Sequence, residues 1–137
     1  ICSYQPANLR SVFIEQNSNA IFLDAYNSNP SSLNAALKSF EKQHLKPSRA
    51  VIIGDMLELG QESLREHQAI VNDLTKSDIE VYLVGKEFEK TNHGPSMYWF
   101  PTRVELLEHF IENPVQNTQI LIKGSRGIRL EEVLEAL

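Results

Sequence analysis

The chain has 137 residues, of which 42% are hydrophobic and 23% charged, so it is long enough for one domain with its own core. Its 13 Lys and Arg and 18 Asp and Glu give a net charge of −5, which argues against a general binder of nucleic acid or acidic membranes. The single cysteine, Cys2, excludes an internal disulfide and a cysteine-rich metal site. No apolar run approaches the roughly 18–20 residues that span a bilayer, and we expect a cytoplasmic protein.

Two apolar segments near the start of the chain predict a β-hairpin. Residues 11–15 and 20–23 are separated by only four polar residues, 16–19, and a parallel crossover needs about a dozen or more. We therefore expect an antiparallel strand beside the main sheet. Residues 1–9 carry no strong helix or strand signal and are interpreted as an inter-domain linker, which leaves residues 10–137 as one domain.

The rest of the chain alternates between strand and helix patterns. Short runs rich in β-branched and aromatic residues predict strands at 50–53, 80–84, 96–100 and 120–122. Apolar residues at helical spacing predict helices at 31–44, 62–74, 102–111 and 130–137. Ser31 or Ser32 is the expected N-cap of the first helix, and Thr102 that of the third. The expected fold class is therefore α/β, with a three-layer, mostly parallel sheet and an N-terminal antiparallel hairpin strand.

Polar and glycine-containing segments follow most of the predicted parallel strands. DAYNSNP begins at Asp24, GDMLELG at Gly54, GK at Gly85 and KGSRG at Lys123. Because ligands collect beyond the carboxyl ends of parallel strands, we expect these segments to emerge side by side on one rim of the fold. The turn at 124–127 is suited to presenting backbone N–H groups and two cations to an anion.

Each of these residues also has an ordinary structural interpretation. Asp24 and Asn29 precede a predicted helix, where turn and capping residues are common. His67 is predicted on the polar side of a helix whose buried side includes Leu64, and the four histidines show no metal-ligand spacing. The sequence contains no Ser-His-Asp or Cys-His arrangement and no G-x-x-x-x-G-K-[ST] phosphate loop. It also lacks G-x-G-x-x-G after the first strand, so a self-sufficient dinucleotide site is not expected.

Three motifs in this order resemble one protein family. DAYNSNPSSLNAAL at 24–37, GDMLELGQES at 54–63 with His67, and KGSRGIRLE at 123–131 are similar to the C-terminal domain of the Mur ligases. NLRS at 8–11 resembles that family's lead-in, where an arginine recurs. Within the family, the second and third motifs point to the member that joins D-alanyl-D-alanine to UDP-N-acetylmuramoyl tripeptide. The resemblance implies a Rossmann-like third domain of a cytoplasmic ligase of peptidoglycan precursor synthesis.

The resemblance also implies a reaction shared with two further domains. ATP would phosphorylate the terminal carboxylate of the tripeptide, and the amine of the dipeptide would attack the acyl phosphate. An N-terminal domain would hold the UDP-sugar, and a central domain would carry the phosphate loop and the Mg²⁺ ligands. The present chain alone is therefore expected to be inactive, with those two domains as its partners and with neither nucleic acid nor a membrane as a partner.

Individual roles follow from the same resemblance. Asp24 would accept hydrogen bonds from the ribose hydroxyls of ATP. Asp55 and Glu58 would meet the ammonium of the dipeptide or cap their own loop, while the residues of the third motif would face the peptide carboxylates. The expected ATP-binding residues are Arg10, Asp24, Asn27 and Asn29. The expected substrate-binding residues are Asp55, Glu58, Lys123, Ser125 and Arg126. Neither a catalytic base nor a metal ligand is expected in this domain.

Two other classes of protein fit part of the pattern. A receiver-type signalling domain also places an acidic residue at one strand end and a lysine at a late strand end, as Asp55 and Lys123 do. Its Mg²⁺ site needs further acidic residues after the first strand, where only Asp24 is present. A non-catalytic interaction module would use the same charged loops to dock a partner protein without nucleotide dependence.

Overall fold

The computed structural model describes residues 12–24, 29–94, 97–124 and 128–137. Its strands are β1 (Val12–Gln16), β2 (Asn19–Asp24), β3 (Ser48–Gly54), β4 (Glu80–Val84), β5 (Met97–Phe100) and β6 (Thr118–Lys123). Its α-helices are α1 (Pro30–Glu41), α2 (Ser63–Thr75), α3 (Lys86–Glu89) and α4 (Arg103–Glu112), and 3-10 helices cover Gly60–Glu62 and Leu130–Ala136. None of the helices within these ranges is long and apolar enough to cross a membrane.

The strands form one sheet in the order β1-β2-β6-β3-β4-β5. β1 is antiparallel to β2, and the other neighbouring pairs are parallel. Asn17 and Ser18 make the hairpin turn with φ angles of 50° and 68°. Positive φ at both central residues is the type I′ conformation, whose twist matches that of the flanking strands. The expected hairpin and the mostly parallel sheet are both confirmed.

Helical elements cover both faces of this sheet. α1, α2 and α3 pack on one face, where Phe40 and Ile70 are buried, and α4 and the last 3-10 helix pack on the other around Phe110 and Leu130. In β3, Val51 and Ile53 belong to the first core, while Ala50 and Ile52 belong to the second. Strands covered on both faces need no alternation of apolar and polar residues, which explains their continuous apolar runs.

The strand order makes β6 a topological switch point, where the connections reverse the direction in which they step across the sheet. Right-handed crossovers that step from β2 to β3, β4 and β5 put α1 to α3 on one face. The connection from β5 back to β6 runs in the opposite direction and puts α4 on the other face. The chain therefore leaves β6 toward the opposite face from its neighbours β2 and β3. Such a switch point is where open α/β sheets bind ligands.

The same strand order excludes the receiver-type alternative. Numbered along the chain, the five parallel strands lie in the order 1-5-2-3-4. Receiver-type domains have the order 2-1-3-4-5. The two folds therefore differ in which strands bring their carboxyl ends together.

The end of α1 nearest the switch point differs from the prediction. Asn29 caps this helix, so the expectation that Ser31 or Ser32 would do so was wrong. The Asn29 Oδ1 atom accepts from the Ser32 backbone N–H at 2.9 Å, and the Asn29 N–H donates to Ser32 Oγ at 3.2 Å. This reciprocal pair is a capping box, and Pro30 at the first helical position suits it. The predicted cap of α4, Thr102, is confirmed.

Leu130 packs where the chain folds back over the end of β6. A Cβ atom added to Gly54 would lie 3.1 Å from Leu130 Cδ1, and one added to Gly124 would lie 2.7 Å from it. The two glycines thus let Leu130 approach the sheet closely enough to be fully buried. This apolar contact holds the start of the last 3-10 helix against the ends of β3 and β6.

Replacing Leu130 with Ala is expected to lower the free energy of unfolding of the 137-residue chain by about 2–5 kcal/mol, because it leaves a cavity at a fully buried position. Urea unfolding followed by circular dichroism measures the change. The matched control is Ile111→Ala on α4, which is 64% exposed and should cost no more than about 0.5 kcal/mol. Equal losses for the two variants would contradict this packing.

Candidate functional site

The carboxyl ends of β2, β6 and β3 lie next to one another. Asp24 is the register partner of Lys123, and Lys123 is in turn the partner of Ile53, the residue before Gly54. The Gly124 N–H donates to the Asp24 carbonyl oxygen at 3.3 Å. The expected convergence of the segments that begin at Asp24, Gly54 and Lys123 on one rim is confirmed.

A buried ion pair lies at the centre of this rim. Lys123 Nζ donates to Asp24 Oδ2 at 3.0 Å, and the two side chains are 1% and 19% exposed respectively. A charge this far from water is tolerated when it has a well-placed partner. The other carboxylate oxygen, Asp24 Oδ1, is also shielded from solvent and accepts no hydrogen bond from the part of the chain that is described. Among the described residues, the Asp24 carboxylate therefore has a hydrogen-bond donor at Oδ2 and none at Oδ1.

Asp55 fastens the loop after β3 to the start of α3. Its carboxylate oxygens accept from the backbone N–H groups of Glu87 at 3.0 Å and Phe88 at 3.1 Å. Gly85 stands beside it with φ of 121°, and a Cβ atom there would collide with the carboxylate. Burial raises the pKa of Asp55, while the two backbone hydrogen bonds act in the opposite direction. These contacts support the loop-capping interpretation of Asp55, whereas a contact with a dipeptide ammonium stays a prediction.

His67 holds the next residue of the same loop. It is fully buried, so the prediction that it lies on an exposed polar side was wrong. Its Nε2 atom accepts from the Met56 backbone N–H at 3.0 Å. Nε2 is therefore unprotonated, and Nδ1–H donates to the Ser63 carbonyl oxygen at 2.7 Å. The ring also packs edge-on against Phe88, with the ring centroids 4.6 Å apart.

The sequence contained a signal for this burial. His67 precedes Ile70, Val71 and Leu74 by three, four and seven residues, and all four are buried on one stripe of α2. Leu64, which was assigned to the buried side, is instead exposed. The apolar stripe therefore continues from Leu74 back to the histidine rather than to the leucine.

The loop after β3 is fixed at Asp55 and Met56, and its next two residues, Leu57 and Glu58, are exposed to solvent. Glu58 has φ of 64°, an uncommon conformation for a residue other than glycine. Behind the loop, the Ser63 hydroxyl donates to Glu87 Oε1 at 2.5 Å and lowers the pKa of that carboxyl. Glu58 is therefore an exposed carboxylate on a loop whose base is fixed by buried polar contacts.

The remaining predicted site residues fall into two groups. Asn29 is described and caps α1, so its side-chain oxygen is occupied by the helix. The others lie outside the described residues, and they are Arg10, Asn27, Ser125 and Arg126. Within the described ranges, no group of three or more His, Cys, Asp or Glu side chains is placed to hold a metal ion. These residues do not fit a Mg²⁺ site, and the Mg²⁺ implied by the resemblance stays a prediction about the central domain.

An α/β sheet with a charged, glycine-containing rim at its switch point matches a known class of ligase domain. Residues 10–126 match the family described as Mur ligase, glutamate ligase domain, and the chain belongs to that family. The chain is 33% identical over 131 residues to the UDP-N-acetylmuramoyl-tripeptide–D-alanyl-D-alanine ligase of Rickettsia prowazekii, covering 92% of this chain. It is 32% identical over 127 residues to the ligase of the same name from Bacillus subtilis, covering 86% of this chain. The chain spans 29% and 28% of these two relatives, which is less than a third of their length.

Solved structures share the fold. MurF from Acinetobacter baumannii superposes with a TM-score of 0.76 at 26% identity, covering 97% of this chain and 31% of that one. The MurF ligase from Thermotoga maritima in complex with ADP has a TM-score of 0.78, covers 98% of this chain and 31% of that one, and at 22% identity supports the fold alone. The expected Rossmann-like fold and the resemblance to the Mur ligases are confirmed.

Replacing His67 with Leu is expected to lower the free energy of unfolding by about 1–3 kcal/mol, because the buried Met56 N–H loses its acceptor. His67→Gln should lose less, since its amide oxygen can take the place of Nε2. Urea unfolding of the chain measures both changes, and His44→Leu at an exposed position is the control. Equal losses for the Leu and Gln variants would show that the ring fills space without holding the loop.

Proposed function

We propose that this chain is the C-terminal domain of an ATP-dependent ligase that joins D-alanyl-D-alanine to UDP-N-acetylmuramoyl tripeptide. One observation carries the proposal: the three motifs begin side by side on the rim at the switch point, in a chain that aligns over 92% of its length with a ligase of that name. The parent protein would be cytoplasmic, and its N-terminal and central domains would be the partners of this one. Residues 1–9 would form the linker to the domain at 10–137.

In the proposed reaction, the γ-phosphoryl group of ATP passes to the terminal carboxylate of the tripeptide and ADP leaves. The amine of the dipeptide then attacks the acyl carbon, gives up a proton and displaces inorganic phosphate, so that an amide bond replaces the acyl phosphate. Acyl phosphates hydrolyse readily, so the site must exclude water before the intermediate forms. A domain that carries nucleotide contacts and amine-substrate contacts on one rim meets that need when it closes on the others.

The nucleotide contact is assigned to Asp24, together with Arg10, Asn27 and Asn29. Asp24 stands at the carboxyl end of β2, where acidic residues bind ribose hydroxyls in other nucleotide folds. Its Oδ1 atom has no donor among the described residues, which supports a role as an acceptor for a ligand. Because this oxygen is also shielded from solvent, a ribose hydroxyl reaches it only after a local rearrangement of the rim.

The peptide contacts are assigned to Ser125, Arg126 and Glu58. An arginine suits peptide carboxylates because its guanidinium group donates two parallel hydrogen bonds. Glu58 is exposed on the rim and suits the ammonium of the dipeptide. Asp55 and Lys123 are buried and already contact other groups of the protein, which favours supporting roles for both.

The parent protein is expected to release phosphate only when ATP, the UDP-N-acetylmuramoyl tripeptide and D-alanyl-D-alanine are all present. Arg126→Ala should remove about 2–5 kcal/mol of transition-state binding, a loss of roughly 30-fold or more in kcat/KM for the peptide substrates. A coupled phosphate-release assay measures both results.

Arg49→Ala is the matched control for that assay. Arg49 lies near the start of β3, at the opposite end of the sheet, where its guanidinium donates to the Glu41 carbonyl oxygen at 3.0 Å. The control should keep the parental kinetics. Activity with a single amino acid in place of the dipeptide would assign the parent to another member of the family. Partner binding without any nucleotide dependence would favour the interaction-module alternative.

The isolated chain is expected to bind ATP weakly or not at all, because the phosphate-binding loop belongs to the central domain in this proposal. Titration calorimetry of ATP into the 137-residue chain measures the affinity, and the full-length parent under the same conditions is the positive control. Micromolar affinity of the isolated chain would contradict the assignment of the phosphate contacts to another domain.

A further inference from the structure

Lys123 is better placed to act on Asp24 than on a substrate. It is the last residue of β6, its side chain is 1% exposed, and its ammonium lies 3.0 Å from Asp24 Oδ2. The two residues are direct register partners on neighbouring parallel strands. Because this side chain is only 1% exposed, its ammonium cannot meet a peptide carboxylate in solvent without a rearrangement of the rim.

The Asp24–Lys123 pair lies on the face of the sheet that α1 covers. Side chains alternate along a strand, so Asp24 and Lys123 share the face of Phe22 and Leu121, under α1. A cavity of about 90 Å³ beside Asp24 is lined by these two apolar residues and by Phe40, among others. None of the other residues that line this cavity is charged, so among the described residues Lys123 is the charged group that contacts and orients the Asp24 carboxylate.

We propose that Lys123 is a positioning residue for Asp24. Its ammonium holds Oδ2 and thereby leaves Oδ1 as the acceptor for a hydroxyl donor of the nucleotide. The proposal rests on the proposed role of Asp24 in binding ATP, and it replaces the assignment of Lys123 to the peptide substrates. Two alternatives predict different results when Lys123 is replaced. Loss of a purely structural ion pair would change only stability, and loss of a direct substrate contact would change the KM of a peptide.

The test uses the full-length parent and three variants: Lys123→Met, Asp24→Asn and the double variant. KM for ATP, for the tripeptide and for the dipeptide is measured separately, together with kcat. Lys123→Met is expected to raise KM for ATP about tenfold or more and to change each peptide KM by less than about twofold. The double variant should bind ATP no more weakly than Asp24→Asn alone, because residues that act through one another are not additive.

A second comparison guards against loss of folding. Lys123→Met leaves the Asp24 carboxylate buried without its ammonium, which is strongly destabilising, whereas removing both charges together is often close to neutral. The double variant therefore tests the KM for ATP even if the single variant unfolds. Lys38→Met, at an exposed position on α1, is the matched control and should leave every constant unchanged.

Three results would overturn the proposal. They are a raised peptide KM with an unchanged KM for ATP in Lys123→Met, additive effects of the two single changes, and a folded double variant with the parental KM for ATP. The wild-type parent is assayed first, since inactivity with D-alanyl-D-alanine would refute the proposed function. In that case calorimetry with ATP on the same variants decides the positioning role, and unchanged nucleotide affinity in the double variant would refute it.

Discussion

The register of β6 between β2 and β3 is the constraint on which the rim depends. A shift by one residue would turn Lys123 to the face of α4 and leave Asp24 without its ammonium. Buried polar residues near the other end of β6 resist such a shift. Asn19 Oδ1 accepts from the Thr118 N–H at 3.1 Å, and the Gln119 side chain donates to the Phe40 carbonyl oxygen at 3.2 Å and accepts from the Leu45 N–H at 2.8 Å. Apolar contacts hold the sheet together, but these directional bonds allow only one alignment.

In the loop after β3, as in β6, hydrogen bonds of buried polar groups fix the position of the chain. Its apolar member, Met56, is buried, yet the position of the loop is set by hydrogen bonds from Asp55 to the start of α3 and from the Met56 N–H to His67. Buried polar groups are costly when unpaired, so each of these contacts excludes alternative loop conformations. The uncommon backbone conformation of Glu58 can persist because both sides of the loop base are fixed in this way.

General rules of α/β folds made the sheet and the rim predictable, and contacts between distant residues made the rest unpredictable. Continuous apolar runs located the strands, and the rule on carboxyl ends brought Asp24, Gly54 and Lys123 together. α3 was not predicted because it has only four residues, too few for a periodic pattern, and its start is bound by Asp55 more than thirty positions earlier. The pairing of Lys123 with Asp24 joins residues 99 positions apart, and no local pattern encodes it. Even the cap of α1 was a choice between three neighbouring polar residues that only backbone geometry decides.

The ion pair between Asp24 and Lys123 is better explained by function than by stability. A buried pair of charges is an inefficient way to stabilise a fold, because apolar residues of similar volume are often as good or better. Asp24 and Lys123 lie on the same face of the sheet as the apolar residues Phe22 and Leu121. The effect of a pair of charges there is to orient the carboxylate, and that orientation matters only if the second oxygen, Asp24 Oδ1, contacts a ligand. In the proposed role of Asp24, its Oδ1 atom, which accepts no hydrogen bond from the described residues, and the buried Lys123 act together: the lysine orients the carboxylate and the aspartate contacts the nucleotide.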